Sequence, residues 1–133
     1  DFSKEMIRQS KKANLNAKHY HMDVDDLDQV NDKFDIITCS HSLPYYKNKR
    51  RTLEKISQIL DDNGKTYIAF ASGESLVDRL ILLFVKVTTG PAKYPSDLEF
   101  RRLIEGIFLI DEYETIKERF FMPTIALYTL RKV

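Results

Sequence analysis

The side chains best equipped for chemistry gather in the first part of the chain. His19, His21 and His41 are the groups that can exchange a proton near neutral pH, and Cys39 is the single thiol. His19-x-His21-x-Asp23 sets three metal-ligand types on alternate residues, which share one face of a strand. A transition-metal site wants three or four such ligands held together. Val24 follows Asp23, and His41 is the one further histidine, so no metal is expected. Carboxylates cluster in Asp23-Val24-Asp25-Asp26-Leu27-Asp28. Cations cluster in Lys47-Asn48-Lys49-Arg50-Arg51, a run that reads as the solvated start of a helix.

Composition narrows the classes. The chain has 133 residues, enough for one domain around one core. Hydrophobic residues make up 43% and charged residues 31%, an ordinary soluble mixture. Lys and Arg number 21 against 20 for Asp and Glu, so the basic excess that a nucleic-acid surface needs is missing. One cysteine allows no intrachain disulfide and suits a reducing, cytoplasmic setting. No signal-peptide pattern opens the sequence. The apolar stretch Leu76 to Val87 is too short to span a bilayer, and Asp78 and Arg79 interrupt it.

The elements that must position these side chains follow from periodicity. Ser3 caps a helix with Glu5 in its first turn, ending near Asn14. Ala17 to Met22 reads as a short strand. Phe34-Asp35-Ile36-Ile37-Thr38-Cys39 suits a strand buried on both faces, as in parallel sheets. Leu53, Ile56, Ile59 and Leu60 recur at helical spacing, and the helix is expected to stop at Asp61-Asp62-Asn63-Gly64, with Gly64 left-handed. Lys65 to Phe70 is the next strand. Alternating helices and strands point to βαβ units. Leu76 to Val87 is an apolar helix candidate, and Ser96-Asp97 opens another helix through about Glu105. Ile110 to Lys117 and Thr124 to Arg131 read as two strands, which so short a link makes antiparallel.

In this order the segments resemble a class I S-adenosylmethionine-dependent methyltransferase, the seven-stranded Rossmann-like family. Asp1-Phe2-Ser3-Lys4-Glu5-Met6 resembles the segment after that family's second strand. Met22 to Leu27 resembles its acidic motif after the third strand. Phe34 to Leu43 resembles the fourth strand and the loop above it, and Leu53 to Phe70 the following helix, turn and fifth strand. The terminal hairpin resembles the sixth and seventh strands. The resemblance implies an α/β fold, with a Rossmann-like, mostly parallel sheet, helices on both faces and a C-terminal antiparallel hairpin. It also implies a domain incomplete at the N-terminus, since the family's first strand and glycine-rich loop would precede Asp1. None of Gly64, Gly73, Gly90 and Gly106 follows a first strand. Residues 1–133 are thus read as one partial domain, a fragment or ordered remnant of the enzyme, with 74–96 as a lid or substrate-side insertion.

The resemblance assigns roles residue by residue. Asp1 matches the carboxylate that accepts both ribose hydroxyls, for which two acceptor oxygens are suited. Asp23 matches the acid that holds the adenine amino group, Val24 lends a backbone N–H to the ring, and Phe2 packs on it. Cys39 and Ser40 lie where the fourth strand ends, facing the methionine part of S-adenosylmethionine. His41, in the loop above, is the candidate general base, while Tyr45 and Tyr46 would line the pocket of a small-molecule acceptor. The bland alternatives are a solvated loop acid for Asp23, a small core residue for Cys39 and packing for both tyrosines. The apolar 76–87 stretch would suit an acceptor or a homodimer partner. Two competing functions remain: a non-catalytic methyltransferase-like binding module, and a nicotinamide-dependent Rossmann enzyme. Against the latter stand the terminal hairpin and the second acidic site at Asp23.

Overall fold

A computed structural model of the chain describes residues 1–72, 78, 80–83, 92–117 and 122–133. Helix α1 is Lys4–Ala13, strand β1 Phe34–Ser40, helix α2 Lys49–Ile59 and strand β2 Leu60–Ala71. Helix α3 is Asp97–Ile104, and strands β3 and β4 are Phe108–Ile116 and Ile125–Lys132. The strands form one sheet in the order β1-β2-β4-β3. β1 runs parallel to β2, and β4 runs antiparallel to both β2 and β3, so three of the four strands point one way. The last strand has slid between its two predecessors. This is the Rossmann-like sheet with a terminal hairpin that the resemblance implies.

Local chemistry explains the element ends. The Ser3 hydroxyl accepts the Met6 N–H at 3.3 Å and starts α1; Lys11 and Lys12 sit in its last turn, where cations suit the dipole. α3 carries a full capping box: Ser96 accepts from Glu99 N–H, and the Glu99 carboxylate accepts from Ser96 N–H at 2.8 Å. α2 and α3 touch and share one face of the sheet. Leu53 and Ile56 of α2, Phe100 and Ile104 of α3, Ile68 and Phe70 of β2, and Tyr128 and Leu130 of β4 make the core. Its centre is aromatic, with Phe100 4.3 Å from Tyr128 and 5.1 Å from Phe70, ring centre to ring centre.

Three expectations need revising or bounding. Ala17 to Met22 forms no strand: Ala17 lies in a bend, and residues 18–22 carry no ladder. It makes one parallel bridge: the Asp1 amino group donates to Tyr20 O at 3.0 Å, and Met22 N–H donates to Asp1 O at 3.1 Å. Ser3, two residues after Asp1, already caps α1. Gly64 does not end α2 in a left-handed turn. Among the described residues the left-handed glycine is Gly106, while Gly64 lies within β2, where the pairing jumps from Phe34↔Leu60 to Ile36↔Lys65. The Leu76–Val87 helix lies mostly outside the described residues; Asp78 and residues 80–83 are helical. Among the described residues no helix is long and apolar enough to cross a membrane.

Candidate functional site

A cleft of roughly 1170 Å³ runs along the outer edge of β1. Its far wall is α1 together with the Asp1/His21 bridge and the turn after it. Phe34 and Ile36 are among its apolar lining, and Ser42, Tyr45, Tyr46 and Lys47 line it beyond the end toward which β1 points. Ligands of open α/β sheets bind outside the carboxyl ends of the strands, so that end is the candidate site.

Of the sequence candidates, Asp1, Phe2, Asp23 and Val24 line the cleft together, as do Tyr45 and Tyr46. Asp1 Oδ1 accepts the Ser3 N–H at 2.7 Å, and Asp23 Oδ1 accepts the Asp25 N–H at 3.0 Å. Each carboxylate thus spends one oxygen on its own turn, and among the described residues the other makes no hydrogen bond. Phe2 is 75% exposed, so it is no core residue; its ring stands free at the wall. Asp23 caps a short 3-10 turn, Val24–Gln29, and that turn is fastened to α2. The buried Lys55 ammonium donates to Asp25 O and to Asp28, whose carboxyl it holds below the ordinary carboxylate range.

The histidines of the alternate pair act as struts. His21 Nε2 donates to Phe2 O at 2.9 Å. His19 engages both ring nitrogens, Nε2 on Asn14 O at 3.0 Å and Nδ1 against Ser10 Oγ at 3.1 Å. Among the described residues no three His, Cys, Asp or Glu side chains converge on one point.

The end of β1 differs from the sequence picture. Cys39 is 6% exposed and belongs to the core, and neither it, Ser40 nor His41 lines the cleft. His41 instead adopts a left-handed backbone, φ 56°, while its N–H donates to Ala69 O at 2.7 Å and its side chain is exposed. A non-glycine residue held there carries strain, which often marks a functional loop. The residues that do reach the cleft beyond the strand are Ser42, Tyr45, Tyr46 and Lys47. Sequence reading missed Ser42 and Lys47. Cys39 is the one buried residue of β1, and no pattern in the sequence separates it from its half-buried neighbour Ile37 on the same face.

The turn carrying these residues is clamped. Lys49 Nζ donates to Pro44 O at 3.1 Å and to Tyr46 O at 3.0 Å, and Lys93 N–H donates to Pro44 O at 2.9 Å. Burial, with the nearby Lys93 charge, lowers the Lys49 ammonium from its usual value. Tyr45 and Tyr94 hydroxyls meet at 3.5 Å, joining the turn to the segment before α3.

Sequence comparison places this geometry. Residues 1–68, just over half of the chain, match the methyltransferase domain family, and the chain belongs to that family. No curated protein gives a significant match. Among solved structures, the chain is similar to N-methyltransferase NodS from Bradyrhizobium japonicum WM9 in complex with S-adenosyl-L-homocysteine. That likeness has 12% identity and a TM-score of 0.76, covering 99% of this chain and 64% of that one. It is also similar to magnesium protoporphyrin IX methyltransferase (ChlM) from Synechocystis PCC 6803 with bound S-adenosylhomocysteine, at 18% identity and TM-score 0.68, covering 99% and 62%. A third likeness is to an S-adenosylmethionine-dependent methyltransferase from Clostridium acetobutylicum ATCC 824, at 14% identity and TM-score 0.72, covering 99% and 73%. The chain spans a little under two thirds of the first two structures. At such identities the likeness establishes the fold.

Proposed function

We propose that this chain is the cofactor-binding and acceptor-side part of a cytoplasmic enzyme that transfers a methyl group from S-adenosylmethionine to a small-molecule acceptor. The carrying observation is the pair of carboxylates, Asp1 and Asp23. They line one end of the cleft, each with one oxygen engaged by its own turn and one available. This arrangement fits the adenosine half of the cofactor: Asp1 for the ribose hydroxyls, Asp23 for the adenine amino group, Val24 N–H for the ring and Phe2 for its face. When bound, the cofactor supplies an electrophilic methyl on a sulfonium. The chain then has to hold the two reactants in line and keep water out, which accounts for most of the rate in such transfers. His41 is the candidate base for a hydroxyl or amine acceptor. Its exposed imidazole makes no hydrogen bond among the described residues, and it stands one residue before Ser42, which lines the cleft. Tyr45 and Tyr46 form the acceptor-side wall.

Calorimetry with S-adenosylhomocysteine tests this reading, using the 133-residue chain and a version extended upstream through a strand and glycine-rich loop. The extended protein should bind, and Asp1→Ala and Asp23→Ala should each weaken binding about tenfold, the worth of a hydrogen bond to a charged group. No binding by the extended protein would sink the enzyme reading and favour a non-catalytic module, for which the open β1 edge offers a docking place. Binding of NAD in its stead would favour the nicotinamide alternative.

A further inference from the structure

Three side chains beyond the adenosine end form a small polar cluster that no role yet explains. Tyr46 OH donates to Ser42 Oγ at 2.9 Å. Cys39 Sγ lies 3.2 Å from Ser42 Oγ and 3.6 Å from Tyr46 OH. Of the three, Ser42 and Tyr46 line the cleft and Cys39 is sealed in the core.

The direction of the protons decides what this cluster can do. A hydroxyl has one proton to give and two lone pairs. Tyr46 fills one lone pair of Ser42, so Ser42 must donate its own proton elsewhere. Among the described residues the one neighbour is the Cys39 sulfur, a weak acceptor. Burial first, and the Cys39 neighbour second, push the Tyr46 hydroxyl above its ordinary value, so it stays protonated across the working pH range. The turn cannot rotate away, because Lys49 grips Pro44 O and Tyr46 O. Lys47 lines the same end of the cleft and adds positive charge.

We infer that Ser42 is a ligand-binding residue, its hydroxyl aimed by Tyr46 to donate to a carboxylate oxygen of the bound ligand. Tyr46 is then a positioning residue, and Cys39 is the weak acceptor that Ser42 leaves when a ligand arrives. This rests on the cleft being the ligand site of the proposed function. The carboxylate could belong to the cofactor's methionine part or to the acceptor; the chemistry at Ser42 is the same.

The test uses the full chain and the Ser42→Ala, Tyr46→Phe and double variants. One arm measures affinity for S-adenosylhomocysteine against 5′-methylthioadenosine, which lacks the carboxylate. The other titrates 4-hydroxybenzoate against phenol by NMR. At least one carboxylate ligand should bind about tenfold more weakly to each single variant. The double variant should lose no more than Ser42→Ala, and the carboxylate-free counterpart should not change. The arm that responds names the source. If 4-hydroxybenzoate follows this pattern while S-adenosylhomocysteine fails to bind even the extended protein, the Ser42 assignment stands and the cofactor reading falls. If neither carboxylate binds, the inference is overturned. So do unchanged affinities in Ser42→Ala, or a Tyr46→Phe effect that persists at full size without Ser42. The Cys39 thiol, the only one in the chain, supplies a ligand-free check. Its S–H stretching band should shift in Ser42→Ala relative to the wild type; identical bands overturn the contact.

Discussion

Gly64 has no room for a side chain. A Cβ there would come within 2.8 Å of Leu60 Cδ1 and 3.0 Å of the Asp35 carbonyl. Leu60 is fully buried, and the carbonyl belongs to β1, so neither yields without repacking. Gly64→Ala should therefore cost about 1–2 kcal/mol, an overpacking penalty partly offset by the entropy that alanine removes from the unfolded chain. A urea midpoint that falls with unchanged slope is the expected result. The sequence marks this glycine as special but not why: an Asp-Asp-Asn-Gly run looks like a helix stop, and only the neighbouring strand reveals the close approach. That Asp1, Phe2, Asp23 and Val24 share one cleft follows the short motifs in which the sequence sets them. Ser42 was not legible, because its role comes from a tyrosine hydroxyl brought back over it by a 3-10 turn, Leu43–Tyr45.

At the scale of elements, the basic run at the start of α2 is the odd feature. Lys49, Arg50 and Arg51 occupy a helix's first turn, where its dipole disfavours cations, and no acid accompanies them. The structure gives two of them work. Lys49 clamps the 43–46 turn, and the Arg50 guanidinium donates to Arg102 O, Leu103 O and Glu105 O at 3.1 to 3.3 Å, capping the end of α3. Arg50→Met should cost about 1 kcal/mol, and so lower the melting temperature by roughly 3–5 °C. Arg50→Lys should not restore it, because an ammonium cannot fork across three carbonyls. A scan that finds Arg50→Lys as stable as the wild type would remove that account. The other end of α3 carries a pH dependence. Burial opposes the charge on Asp97, but hydrogen bonds from Arg101 and from Tyr128 OH at 2.8 Å outweigh it, so the carboxyl sits below its ordinary 3.8. A depressed carboxyl binds its proton less readily folded than unfolded. Its contribution is present above that value and fades as pH falls through the folded one. Asp97→Asn should thus be less stable than the wild type near about pH 6, with the gap closing toward about pH 3 in urea titrations.

At the scale of the whole molecule, a four-stranded sheet borders a cleft along β1. On one side of the cleft stands β1, on the other the parallel bridge between Asp1 and His21, and both run in the parallel manner. The His41 N–H points to β2, at Ala69 O. Alternation along the strand then turns the Ile37 and Cys39 amides the same way and the Ile36, Thr38 and Ser40 amides toward the cleft. Ile36 is 63% exposed on that edge, which an isolated sheet has every reason to cover. The helices, strands and hairpin were readable because each signals itself through local periodicity. The expectation of a further strand beside β1 comes only from the family resemblance, because periodicity speaks only for the residues it patterns. If the cleft is a slot for one parallel strand, hydrogen exchange in the 133-residue chain should be fast at Ile36, Thr38 and Ser40 and slow at Ile37 and Cys39. In the extended protein the first three should become protected by a factor of about a hundred or more, as amides move from a free edge into a ladder. S-adenosylhomocysteine should then add protection near Asp23 and Val24 but not along β1. Fast exchange at those three amides in the extended protein would mean that the slot takes no strand, and that the cleft along β1 is ligand space for its whole length.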